Sequence, residues 1–92
     1  MNRARIGVLG DYNANYGSHP ETNAAIEAAA RRAGIDVAYE WVATDTIEKR
    51  DPSLLDAFDG IWVSPGAPYR SLNGALEGIR HARESGQPLV GT

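Results

Sequence analysis

Four short apolar runs punctuate the chain, and each is followed by a polar or glycine-containing break. Ile6-Gly7-Val8-Leu9 lies in a first strand read from Arg5 to Tyr12. Over Asp36–Val42, Val37, Tyr39 and Trp41 alternate with smaller or polar residues, the pattern of a strand near a sheet edge. Ile61-Trp62-Val63 is continuous rather than alternating, which suits a strand covered on both faces of a parallel sheet. Leu89-Val90 begins a fourth strand within Gln87–Thr92.

Helical patterns fill the intervals. Ser18 stands three residues before Glu21, the spacing of a capping box, and Pro20 suits a first turn whose N–H groups are unpaired anyway. That helix should run to Ala33 and stop at Gly34, with Arg31 and Arg32 in the last turn, where cations are favoured. Its alanines leave Ile26 as the bulkiest apolar side chain, so it should sit close against a sheet. Ala43 to Thr46 closes the second strand, and Ile47 to Lys49 forms a turn of helix. Asp51 caps a short helix whose first position is Pro52. Ser71 caps another long helix. There Leu72, Ala75, Leu76, Ile79 and Ala82 keep helical spacing on one face, and Gly86 ends it. Both tryptophans read as core.

Strands alternating with helices imply right-handed crossovers and a parallel sheet. The expected fold is α/β, a flavodoxin-like doubly wound parallel sheet with strand order 2-1-3-4. The apolar fourth strand would be a bare edge, which complete domains avoid. Residues 1–92 therefore read as one partial domain, expected to self-associate through that edge.

Composition narrows the function classes. Net charge is -3, and the nine basic residues are scattered rather than clustered, so nucleic acid is not an expected partner. No apolar run approaches the roughly 20 residues of a membrane span. The run after the basic start is too short for a signal peptide, so the chain is expected to be cytoplasmic, with no membrane partner. There is no cysteine, and His19 and His81 make no metal-ligand spacing, so neither a metal nor a cofactor is expected.

Motifs exclude more than they assign. Gly7 and Gly10 do not complete a dinucleotide fingerprint, and there is no phosphate-binding P-loop or Ser nucleophile elbow. A phospho-acceptor reading fits Asp11 but finds Ser64, not an acid, after the third strand. Ser64 and Ser71 are hydroxyls near a loop, with no histidine placed beside them by sequence. His19 reads as a loop or first-turn residue and His81 as a boundary position on its helix. Asp11 and Tyr12, at a strand end, read either as site lining or as a loop hydrogen bond and a packing contact. Ser64-Pro65-Gly66-Ala67-Pro68 is a turn at the carboxyl end of a parallel strand, where open α/β sheets place ligands. The stretch reads either as a plain turn between strand and helix or as one whose Gly66 and Ala67 N–H groups face a developing oxyanion.

Ile6-Gly7-Val8-Leu9-Gly10-Asp11-Tyr12, Asp59-Gly60-Ile61-Trp62-Val63-Ser64-Pro65-Gly66 and Gln87-Pro88-Leu89-Val90-Gly91-Thr92, in this order and spacing, resemble the class I glutamine amidotransferase domain of CTP synthases. Pro65-Gly66-Ala67-Pro68-Tyr69-Arg70-Ser71 looks like the small stand-alone relatives of that domain. The resemblance implies a Cys-His-Glu glutaminase that releases ammonia to a synthetase partner, with glutamine or a related small amide as substrate. It places backbone oxyanion binding on Gly66 and Ala67, and makes Asp11, Tyr12, Pro68, Tyr69 and Arg70 candidates for lining the site. The usual Pro-Gly-Gly is Pro65-Gly66-Ala67 here. The chain is expected to be the N-terminal part of the domain, ending just before the nucleophile elbow and holding no catalytic side chain of its own. The alternative is a non-catalytic truncated flavodoxin-like domain that binds a ligand or partner. A flavin or phosphate binder is a weaker third reading. The bare edge predicts that the isolated chain self-associates or melts with low stability. A monodisperse, cooperatively melting monomer in sedimentation would contradict this.

Overall fold

A computed structural model describes residues 3–13, 15, 17–64 and 69–91. The elements follow as β1 (Arg3–Leu9), α1 (Ser18–Ala33), β2 (Asp36–Val42), α2 (Thr44–Lys49), a 3₁₀ helix (Pro52–Ala57), β3 (Gly60–Val63), α3 (Leu72–Glu84) and β4 (Leu89–Gly91). The strands form one parallel sheet in the order β2-β1-β3-β4. This is the expected α/β, flavodoxin-like topology.

β1 is the long central strand. It pairs with β2 from Arg3↔Asp36 to Leu9↔Val42, and with β3 from Ile6↔Gly60 to Leu9↔Val63. Alternation then sorts the side chains. Leu9, Val42 and Ile61 point to one face and pack with Ile47 of α2, Leu55 of the 3₁₀ helix and Ala82 of α3. Tyr39 and Trp41 point to the other face. There the Tyr39 hydroxyl donates to Glu27 at 2.6 Å and Trp41 Nε1 donates to Asn23 at 2.7 Å, both on α1. Phe58 lies on Gly7, where a Cβ would stand 2.7 Å from its ring, so β1 accepts this aromatic only because Gly7 has no side chain. The Arg5 guanidinium sits 5.4 Å from the centre of the same ring. Asp59 locks β3 to β1 from both sides. Its carboxylate accepts the Arg5 N–H at 2.7 Å, and its own N–H donates to the Arg5 carbonyl at 2.7 Å.

Several expected boundaries shift. β1 ends at Leu9, not Tyr12, which frees Asp11 to reach across the sheet end. α1 begins at Ser18 with Gly17 in the capping position, one residue before the expected cap, and the Glu21 N–H donates to the Gly17 carbonyl at 3.2 Å. Four of its alanines, Ala24, Ala25, Ala29 and Ala33, are exposed, and its buried face is His19, Thr22 and Ile26. Its end is as expected. Gly34 takes a left-handed φ of 69°, and the Ile35 N–H reaches back to the Ala30 carbonyl at 3.1 Å, closing the last turn. α2 starts at Thr44, three residues earlier than its sequence suggests, because Asp11 takes up the Thr44 N–H. Asp51 does cap the next segment, accepting the Ser53 N–H at 2.8 Å, but that segment is 3₁₀ rather than α-helical. Trp41 and Trp62 are half-buried rather than core.

The largest correction concerns α3. Its packed face is Ser71, Gly74, Ala75, Gly78 and Ala82, while Leu72 and Leu76 are 64% and 56% exposed. The cause is distance. A Cβ on Gly74 would run into the Thr44 carbonyl oxygen, and one on Gly78 would stand 3.3 Å from Ile47, Leu55 and Leu9. The helix approaches α2 so closely that only small residues fit between them, so the leucines turn outward. Gly74→Ala is expected to lower stability by about 1–3 kcal/mol despite the better helix propensity of alanine. Gly78→Ala meets only side-chain ends and should cost less. Urea unfolding midpoints of the two variants decide the order.

Candidate functional site

The carboxyl ends of β1 and β3 lie side by side at the point where the strand order reverses, the place where open α/β sheets bind ligands. Pairing continues past the strands themselves. The Gly10 N–H donates to the Val42 carbonyl at 3.0 Å and the Ser64 N–H to the Leu9 carbonyl at 3.1 Å. The two chain ends are close enough that a Cβ on Gly10 would collide with the Ser64 hydroxyl. Gly10 is thus required by close approach, not by an unusual backbone angle.

Asp11 follows directly, and its carboxylate accepts three hydrogen bonds. Oδ1 takes the Thr44 N–H at 3.0 Å, and Oδ2 takes the Thr44 hydroxyl at 2.7 Å and the Arg70 N–H at 2.9 Å. A carboxylate on the first N–H groups of a helix satisfies donors that the helix itself cannot. Here the capping residue comes from another strand, 33 positions earlier. The Thr44 hydroxyl passes the connection on, accepting the Ser71 N–H at 2.9 Å. Ser71 caps α3 by accepting the Gly74 N–H at 2.9 Å and donates its own hydroxyl to Glu48 at 2.9 Å. Asn73 donates to the other Glu48 oxygen at 3.1 Å. Tyr69 donates its hydroxyl to the Ser64 carbonyl at 2.9 Å, joining the residues on either side of 65–68. Burial, and secondarily the Asp11 charge, push the Tyr69 phenol above its ordinary value of 10.0, so it stays a donor at neutral pH.

The structure therefore brings Asp11, Tyr69 and the Arg70 main chain together. It separates Tyr12 from them. That ring is 44% exposed and lies edge-on to Trp41 at 5.0 Å, with His19 at 4.9 Å from the same indole. His19 Nδ1 accepts the Asn13 N–H at 2.9 Å, so this aromatic group pins the β1–α1 connection to α1. Gly66, Ala67 and Pro68 lie outside the described residues. The Ser64 hydroxyl is buried and has no hydrogen-bond partner among the described residues, so it forms no Ser–His pair with His19. His81 lies far off, with Nε2 2.7 Å from the Asp56 carboxylate. Among the described residues no group of three His, Cys, Asp or Glu is placed to hold a metal ion, and no helix is long and apolar enough to cross a membrane.

Thr44 and Glu48 were missed in the sequence. Both lie on one face of α2, one turn apart, but a threonine after a strand reads as a strand end. The Ser71 cap was the signal nearest to these two residues in the network, and it says nothing of what the serine hydroxyl donates to.

Bonds from Asn73 and then Ser71 hold the Glu48 carboxyl below its ordinary value of 4.5. A depressed folded value means this stabilisation is present above the ordinary value and is lost as pH falls through the lowered one. The thermal midpoint of the native protein should fall as the solution is acidified below about 4.5. Glu48→Gln should make that acid limb shallower; an unchanged limb would exclude the contribution.

No protein-family model matches the chain. It is 31% identical over 87 residues to the CTP synthase of Encephalitozoon cuniculi, 34% identical over 92 residues to that of Frankia casuarinae, and 28% identical over 86 residues to that of Pyrococcus furiosus. These alignments cover 95%, 98% and 94% of the chain but only 16%, 15% and 16% of the relatives. The chain thus spans about one-sixth of the length of the curated relatives it matches. The similarity runs through all four strands of the parallel sheet, so the chain is similar to a single α/β segment of these CTP synthases.

Proposed function

We propose that this chain is the N-terminal part of a glutamine amidotransferase unit that hydrolyses glutamine, or a related small amide, and passes ammonia to a synthetase partner. The observation that supports this best is the CTP synthase similarity over 95% and 98% of the chain, in a sheet whose β1 and β3 ends meet at the point where the strand order reverses. In this reading the reacting amide lies over that end. A cysteine from outside the chain, which has none of its own, attacks the side-chain carbonyl. A histidine, also from outside, takes the thiol proton and returns it to the leaving nitrogen. The C–N bond breaks, ammonia departs, and water then cleaves the thioester to the acid. The contribution of this chain is electrostatic. N–H groups at Gly66 and Ala67 stabilise the negative oxygen that forms during attack.

Gly66→Pro removes one of these N–H donors. In the protein expressed from its complete native reading frame, this variant should lose about 100-fold or more in ammonia release from glutamine, with an unchanged far-UV circular dichroism spectrum. Unchanged turnover would remove the oxyanion role. A native protein that neither releases ammonia nor reacts with a glutamine-analogue electrophile would overturn the amidotransferase reading in favour of a non-catalytic, ligand-binding one.

A further inference from the structure

We infer that Asp11 is a positioning residue for the connection between β3 and α3, holding its α3 end in place through the Arg70 N–H. The catalytic consequence rests on the amidotransferase reading above; the clamp itself does not. Among the described residues, two of the hydrogen bonds that hold this connection meet at Tyr69 and Arg70. The Tyr69 hydroxyl reaches back to the Ser64 carbonyl, and Asp11, from the end of the neighbouring strand, accepts the Arg70 N–H. The first link lies within the connection, so it can move with it. The second ties the α3 end of the connection to the end of β1 from outside it, as the Ser64 N–H to the Leu9 carbonyl does at the β3 end. The same Asp11 oxygen also takes the Thr44 hydroxyl, and Thr44 in turn accepts the Ser71 N–H. The starts of α2 and α3 are thereby referred to one carboxylate, whose charge strengthens each of the three bonds it accepts.

Asp11 has a chemistry that its amide analogue lacks. Three donors converge on two acceptor oxygens. Asparagine offers one acceptor oxygen and an uncharged amide whose NH₂ group must face a donor, so Asp11→Asn cannot satisfy all three donors and weakens those it keeps. Main-chain N–H donors in this connection act by position, and a displacement of about 1 Å in a catalytic group costs up to roughly 100-fold in rate.

The test uses the protein from its complete native reading frame, comparing Asp11→Asn with Gly78→Ala, which crowds the α3 packing against Ile47, Leu55 and Leu9 without touching the connection. Two readouts are taken well below both melting temperatures. Hydrogen exchange at the Arg70 amide should accelerate at least tenfold in Asp11→Asn and stay near the native rate in Gly78→Ala. In glutamine hydrolysis, kcat should fall roughly 10- to 100-fold in Asp11→Asn with KM within about twofold, and Gly78→Ala should keep the native kcat. Native protection at Arg70 in Asp11→Asn overturns the clamp. Lost protection with native kcat overturns the positioning role. A native protein without amide hydrolysis, in which Arg70 still loses protection in Asp11→Asn, overturns the amidotransferase reading and supports the clamp.

Discussion

The contact between α2 and α3 at Thr44 and Gly74 is the constraint on which the rest of this face depends. The Thr44 carbonyl stands where a side chain on Gly74 would have to be, while the Thr44 N–H and hydroxyl are committed to Asp11. One residue therefore sets both how close the helices come and where they start relative to β1. Because α3 is drawn in so tightly, its buried face is made of glycine, alanine and serine, and the core beneath it is filled by the larger Leu9, Ile47 and Leu55 from the other side.

This arrangement has a consequence for the sheet end. A short helix such as α2 contributes little stability of its own, since nucleating a turn is unfavourable and few bonds follow. Its first N–H is capped by a carboxylate from β1, and its last turn holds Glu48 against Ser71 and Asn73. Asp11 also holds the Arg70 N–H and the Tyr69 hydroxyl reaches the Ser64 carbonyl, so the described ends of the connection after β3 are tied to helix starts and strand ends.

Much of the fold was legible in the chain. The continuous run Ile61-Trp62-Val63 and the alternating Asp36–Val42 distinguished a central strand from an edge strand, and the structure places them so. Gly34, Asp51 and Ser71 marked their helix ends through chemistry that is local and independent of the rest of the molecule. The site was less legible. Asp11 was visible as a residue at a strand end, and its three donors were not, because two of them belong to Thr44 and one to Arg70, 33 and 59 positions away.

What the sequence by itself determined is the order of elements, the parallel sheet and the kinship with CTP synthases, since periodicity, caps and motif spacing are properties of neighbouring residues. Only the tertiary structure decided which face of α3 is buried and what Asp11 does. Helical periodicity put Leu72 and Leu76 with Ala75 and Ala82, because it ranks residues by hydrophobicity. The close approach to Thr44 ranks them by size, and where two backbones nearly touch, size prevails.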